Sequence, residues 1–430
     1  MRNLLQHGAL IALCLFIMAS AKAEQSDQRL LSLQDALRLG LQQHPQLTHF
    51  TLRAQSLAGE LESAALSPPL TLSAELENIA GSGDFQETQS AELTLSLSSV
   101  IEPRYQRDAR QSIVTARQQA LATEEQLFAL DLMTEITRGF IAVIAAQEVL
   151  SIHQQSYQLW RYCVADLEKR VAAGRSPTVE LLRAQAALAH ADIARLEAEN
   201  TVLLAKMSLS KLWGEPDDFL FSAQGNLRNL GSPVSREHIL NLLDQHPDLR
   251  LLADETRLRK AELDFARSRS SLTPEWQAGI RHIRESDDTA LVLGVSIPLS
   301  SRARASGEIK AARAQQQLAM QQQDSAILNL RSQLLQLTEQ QRLAIQRARI
   351  LRDEVVPLLS RAVTEADDTF ARGRYSYMEW SLAHNELLDA QLELIQSATQ
   401  VHYWRTEIER LSGSIMFNEY QQQSMQGVTP

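Results

Sequence analysis

Apolar residues recur along this chain in two rhythms, and the two alternate from one end to the other. Ile136, Val143, Leu150, Tyr157, Val164 and Val171 fall every seven residues, and Gly139, Ala146, His153, Trp160 and Leu167 follow three places after them. Two apolar positions per seven form the seam of helices packed side by side along their length. The stretch around them, from about Arg104 to Ala172, contains no proline and one glycine, Gly139. At about 1.5 Å of rise per residue it predicts a helix of roughly 100 Å. A comparable stretch runs from about Arg302 to Ala371, with Pro357 expected to kink it.

The second rhythm has period two. Leu70, Leu72, Ala74 and Leu76 alternate with Thr71, Ser73, Glu75 and Glu77, and Leu93, Leu95 and Leu97 with Thr94, Ser96 and Ser98. Later, Trp276, Ala278 and Ile280 alternate with Gln277, Gly279 and Arg281, and Leu291, Leu293, Val295 and Ile297 with Val292, Gly294 and Ser296. This pattern predicts four strands, at about 70–78, 90–100, 275–283 and 289–298, each with one apolar and one more polar face. Their links, Gly81–Asp84 and Glu285–Asp288, are rich in turn residues.

The chain is written twice. An amphipathic segment ending in His44-Pro45 matches one that begins at Val234 and ends in His246-Pro247. Proline disfavours helical geometry in the residue before it, so one helix ends and another begins at each. Each of these next helices, roughly 20 residues long, ends near a further proline (Pro68-Pro69 and Pro274), before the strand pair and the long helix. Both long helices stop at a glycine, Gly174 or Gly373, and a returning helix follows. The offset between Gly174 and Gly373 is 199 residues, and between Gly214 and Gly413 it is again 199. The expected organisation is a first repeat at 24–214 with a hairpin at about 104–213, and a linker at 215–233. A second repeat at 234–413 follows, with a hairpin at about 302–412, then a polar tail at 414–430.

A short basic start, an apolar run from Ala9 to Ala19 and the triplet Ala21-Lys22-Ala23 have the form of a secretory signal peptide over 1–23. Without it the charge is (42 − 2) − 52 = −12, which offers nucleic acid no electrostatic footprint. Cys163 is then the sole cysteine, so an intrachain disulfide is excluded. No later segment approaches the length of an apolar transmembrane helix.

Four strands with an apolar face cannot close a barrel alone, and an open sheet in lipid leaves edge groups unsatisfied at several kcal/mol each. Several chains are therefore expected to pool strands, and three chains would give twelve. The long helices are too polar for lipid and belong in an aqueous compartment.

With these features the mature chain resembles the TolC-type outer-membrane factor family. The resemblance rests on the duplicated order of helix, strand pair and long hairpin, on the His-Pro breaks, on the glycine turn at each hairpin tip, and on the signal peptide. Within the family, Ala74–Asp84, Ala91–Glu102 and Val295–Leu299 are similar to the cation-efflux, CzcC-like branch. Pro103–Arg107 departs from that branch, which follows the glutamate with a Gly-Gly-Lys-Arg-like turn. The resemblance implies a mainly α, TolC-like fold: a homotrimer with a 12-stranded β-barrel in outer-membrane lipid, continuous with a barrel of 12 helices reaching into the periplasm. It also implies a periplasmic membrane-fusion adaptor and an inner-membrane RND pump as partners. The chain would be a passive, gated exit for heavy-metal cations, or for organic compounds or secreted proteins. A periplasmic coiled-coil adaptor is the rival reading, but adaptors have one hairpin and β-rich modules on both sides.

The resemblance places an acidic residue at the narrow periplasmic mouth. Here that residue is Glu379, with Glu180 as its first-repeat counterpart and Asp367 and Asp368 nearby. Three copies around a threefold axis would form a ring that favours cations. Glu379 also suits a plain role at a helix start, where a carboxylate meets the helix dipole. The tips Gly174, Arg175, Ser176 and Gly373, Arg374, Tyr375 are where an adaptor would meet the tube, although turn chemistry alone explains the glycines. His44, His49, His246, His282, His384 and His402 show no metal-ligand spacing, so no tight metal site is expected, and His44 and His246 mark helix breaks. Nucleophile, phosphate-loop and dinucleotide motifs are absent, so neither catalysis nor a cofactor is expected. Trp160, Trp213 and Trp404 lie on helical stretches and read as packing residues.

Overall fold

The computed structural model describes residues 29–86, 88–217, 219–233, 246–299 and 301–412. The expected signal peptide (1–23), the second amphipathic segment (234–245) and the polar tail (414–430) lie outside the described residues. The described chain is mainly helical. In order it contains β1 (Arg29–Leu31), α1 (Leu33–Gln43), α2 (Pro45–Ala65), β2 (Thr71–Glu77), β3 (Glu92–Val100) and α3 (Arg104–Ala172). Then come α4 (Thr178–Ser210), β4 (Phe221–Ala223), α5 (Pro247–Ser268), β5 (Glu275–Ile283) and β6 (Asp288–Ser296). The last helices are α6 (Ser301–Ile350), α7 (Val356–Ala371) and α8 (Tyr377–Ser412). A π-helical turn, Leu351–Val355, separates α6 from α7 just before Pro357. Contacts divide the chain into two compact units, each drawing on both repeats.

One unit contains Ile136–Leu230 and Ala348–Thr399 together with β1 and α1. In it, the predicted heptad seam of α3 is buried or half-buried throughout, with Ile136, Val143 and Leu167 fully inaccessible. Gly139 allows a close approach there, since a Cβ would lie 3.2 Å from Leu209 Cδ1. This unit also holds an element the alternation does not show. β1 pairs in parallel with β4, Arg29 opposite Phe221 and Leu31 opposite Ala223. The segment expected as a linker at 215–233 therefore carries a strand. Three residues are too few to display a period, and the partners lie 221 − 29 = 192 residues apart. Phe221 packs on Trp213 with ring centroids 5.9 Å apart, and the Lys206 ammonium sits 5.6 Å from the Phe221 ring. Burial pushes the Lys206 pKa down.

The other unit contains His44–Glu135, Gly231–Arg347 and the C-terminal part of α8. Leu330, Leu334 and Leu337 pack there against Ile408 and Leu411. Its sheet has the order β2-β3-β5-β6, antiparallel throughout, and these are the four strands that the alternation predicts.

Both His-Pro breaks have one mechanism. Nδ1 of His44 accepts the N–H of Gln46 at 3.3 Å, and Nδ1 of His246 accepts that of Asp248 at 3.1 Å. Each imidazole is thus an N-cap, and the following proline occupies a position whose own N–H would be unpaired. His246 is 1% exposed. Burial, the largest effect, holds its pKa below 6.5, against the pull of Asp248. The unfolded chain takes up a proton at that value and the folded chain does not, so this contribution is present above pH 6.5 and lost as pH falls below it. We expect stability to fall between about pH 7 and pH 5. His246→Asn, which caps without titrating, is expected to flatten that dependence. Denaturant midpoints at the two pH values check this, against a cap contribution of about 1 kcal/mol.

Candidate functional site

Two places concentrate the chemistry: the faces of the four-stranded sheet and the tips of the hairpins.

Residues opposite one another in an antiparallel ladder share a face, and register sorts this sheet into two. On one face lie the rows Leu72–Leu97–Ala278–Leu293 and Ala74–Leu95–Ile280–Leu291. Leu72, Leu291, Leu293 and Val295 are 71–75% exposed. Covering a side chain of this size is worth about 1.5–3 kcal/mol, so this face calls for an apolar environment. The other face is polar and internally bonded. Gln277 donates to Ser96 Oγ at 2.8 Å, and Arg281 donates to Thr94 Oγ1 at 3.0 Å and to Glu92 at 2.9 Å. Arg281 also reaches Glu77 at 3.2 Å. β2 and β6 form the two edges of the sheet. Where the sheet meets α3, Arg110 pairs with Glu102 at 2.7 Å and donates to the carbonyls of Ala64 and Leu66. The unusual turn at Pro103 is followed directly by α3, with the Gln106 N–H bonded to the Pro103 carbonyl.

At the tips, Gly174 has φ +67° and Gly373 φ +71°, a region that favours glycine. Gly174 N–H bonds the Val171 carbonyl and Arg175 N–H the Arg170 carbonyl; Gly373 bonds Phe370 and Arg374 bonds Thr369 in the same way. These are two Schellman caps. Ser176 and Pro177 lead into α4, and Glu180 stands half-buried in its first turn. In the second tip Tyr375 is 39% exposed. Ser376 and Glu379 form a capping box: Ser376 N–H and Oγ–H donate to Glu379 Oε2 at 3.0 and 2.8 Å, and Glu379 N–H returns to Ser376 Oγ at 3.3 Å. The backbone hydrogen bond from Ser376, and then its hydroxyl, hold the Glu379 carboxyl below its usual range, so it stays ionised at neutral pH.

The acidic residues singled out in the sequence thus separate. Glu379 is exposed and charged. Asp368 pairs with Arg372 along its own helix at 2.7 Å. Asp367 Oδ1 accepts from Trp380 Nε1 at 2.7 Å and lies 2.8 Å from His384 Nε2. Trp380 stacks on Phe370 and meets Trp160 edge-on, with centroids 5.3 and 5.4 Å apart. Arg170 lies over the Phe370 ring and donates to the Phe370 carbonyl at 3.1 Å, so it ties the end of α3 to the end of α7. The spacing of the residues exposed neither this link nor the Asp367–His384 contact, which forms across a turn between residues 17 positions apart. Burial pushes the Cys163 thiol up to about 12, which leaves it unreactive. Among the described residues no three His, Cys, Asp or Glu side chains gather as a metal cage, and no helix is long and apolar enough to cross a membrane.

The family model described as "Outer membrane efflux protein" matches residues 36–215 and 239–414. The chain belongs to this family. The outer membrane efflux protein is 26% identical to the cobalt-zinc-cadmium resistance protein CzcC of Cupriavidus metallidurans over 283 residues, which cover 66% of this chain and 68% of CzcC. Its fold is shared with the Campylobacter jejuni outer membrane channel CmeC (TM-score 0.75, 13% identity, 91% of this chain and 89% of that one). It is shared also with the Vibrio cholerae outer membrane protein VceC (TM-score 0.71, 18% identity, 89% and 96%). As an outer-membrane efflux protein, the chain has in its four-stranded sheet an element whose exposed apolar face suits the lipid of that membrane.

Proposed function

We propose that three copies join β6 of one chain to β2 of the next, closing a 12-stranded barrel that serves as the outer-membrane exit of a tripartite efflux system. One observation carries this reading: a sheet apolar and exposed on one face, hydrogen-bonded and polar on the other, with both edges open. Lipid covers the first face, the lumen wets the second, and pairing between copies satisfies the edges. The energy comes from an inner-membrane RND pump, joined through a periplasmic adaptor that meets the tips at Gly174–Ser176 and Gly373–Tyr375. Three Glu379 carboxylates, assisted by Glu180, line the periplasmic mouth and favour cations. Asp367 and Asp368, held by neighbouring side chains, contribute to the field there rather than contacting the cargo. Divalent heavy-metal cations are the cargo, in line with the relationship to CzcC.

The test is a deletion strain grown on zinc, cobalt, cadmium, copper, nickel and detergents. Metal sensitivity with unchanged detergent tolerance is expected, restored by the wild-type gene and only partly by Glu379→Gln. Detergent sensitivity alone would move the cargo to organic compounds. Wild-type protein absent from the outer-membrane fraction would overturn the reading entirely.

A further inference from the structure

Arg281 is placed where it controls the charge of the polar sheet face. Register puts Glu75, Thr94, Arg281 and Ala290 in one cross-strand row, and Glu77, Glu92, Ile283 and Asp288 in the next. The two rows therefore hold four carboxylates and one guanidinium. All three donor nitrogens of that guanidinium are engaged: Nε to Thr94 Oγ1 at 3.0 Å, one terminal nitrogen to Glu92 at 2.9 Å and the other to Glu77 at 3.2 Å. Its side chain is 34% exposed, against 40% for Glu77 and 22% for Glu92, so the cluster is open to water at its surface. Glu92 also accepts from Asn78 at 3.1 Å, which fixes its position. A surface ion pair adds little stability, so the consequence to look for is electrostatic. With Arg281 the rows carry three negative charges per chain; without it they carry four, and the two nearest carboxylates lose their neutralising partner.

We propose that Arg281 sets the ion preference of the sheet region, moderating a carboxylate-lined passage that would otherwise exclude anions far more strongly. This rests on the reading above that the polar face lines the lumen. It places a second selectivity element in the sheet, in addition to the carboxylate at the hairpin tip. Rings of charged side chains in a pore attract ions of opposite sign and repel those of like sign. Their reach is set by screening, roughly 10 Å at 0.1 M salt and 3 Å at 1 M.

Purified full-length protein in planar bilayers under a potassium chloride gradient provides the test. Recordings are made in the Glu379→Gln background, so that the tip carboxylate does not dominate. Arg281→Gln is expected to raise the cation-to-anion permeability ratio by roughly two- to fivefold at 0.1 M salt, and much less at 1 M. Arg281→Lys keeps the charge and is expected to stay near the parent value. The paired change Glu77→Gln with Glu92→Gln leaves Arg281 uncompensated and is expected to shift the ratio toward anions. Equal reversal potentials for Arg281→Gln and parent, in trimers that conduct, would overturn the assignment. A parent protein that forms no trimer in the outer-membrane fraction would instead overturn the underlying conduit reading.

Discussion

Gly279→Val is expected to abolish the heat-resistant trimer in the outer-membrane fraction. Gly279 lies on β5 opposite Ser96, in the central ladder of the sheet. A Cβ there would sit 2.5 Å from the Leu95 carbonyl oxygen and 2.8 Å from the Ser96 Cβ. The first of these is backbone already held by strand pairing, so it cannot swing aside as a side-chain tip would. β3 and β5 must then separate or slip, and a one-residue slip would exchange the apolar and polar faces. Overpacking typically costs about 1–3 kcal/mol and more where the backbone cannot yield, and in a closed barrel every copy bears that cost. Gly294→Ala is the control, because its Cβ would meet Gln277 at an ordinary 3.6 Å. Electrophoresis of heated and unheated outer-membrane samples decides the matter. Trimer formation by Gly279→Val at the parent level would show that the ladder is looser than its geometry implies.

Arg110→Ala is expected to cost about 2–3 kcal/mol. The Glu102 side chain is 7% exposed and paired with Arg110 at 2.7 Å. The same guanidinium caps the carbonyls of Ala64 and Leu66, at the end of α2. Removing it strands a nearly buried carboxylate and takes the donor from the part-buried Ala64 carbonyl, while water replaces it at the exposed Leu66 carbonyl. Lysine cannot replace a planar fork that bonds on two sides at once, so Arg110→Lys should recover little. Combining Arg110→Ala with Glu102→Gln removes the stranded charge and should restore about half of the loss. Thermal unfolding of the detergent-solubilised protein measures all three. A loss below about 1 kcal/mol for Arg110→Ala would reduce the junction to an ordinary surface pair.

The elements of this fold were legible to the extent that they were long or punctuated. The uninterrupted run to Ala172 gave α3 its bounds, since nothing within it favours another conformation. Gly174 and Gly373 announced left-handed caps, and His44-Pro45 and His246-Pro247 announced helix starts. The sequence did not disclose that the histidine rings themselves act as caps. The strand pair β1 and β4 was invisible because each is three residues long and its partner is remote. Pro357 signalled a kink but not the π turn that precedes it. For the site, alternation separated the two sheet faces correctly, and Arg281 was noted only as a polar member of its strand. Its partners Glu77 and Glu92 lie on other strands, which only register brings together. Ser376 and Glu379 carry the spacing of a capping box, so a structural part for Glu379 could be read beside the role at the mouth proposed above. Asp367, His384 and Trp380 meet across a turn that spacing along one helix does not capture.

The two Schellman turns are short and closed by their own backbone, so a protein docking there as proposed would find surfaces already set, with little ordering left to do on contact. Because one polypeptide carries both, the two need not be alike, and they are not: Arg175-Ser176-Pro177 stands at one and Arg374-Tyr375-Ser376 at the other. Any ring of identical copies must therefore present two kinds of landing place in alternation. A visitor with a single kind of fingertip would have to tolerate both or select one.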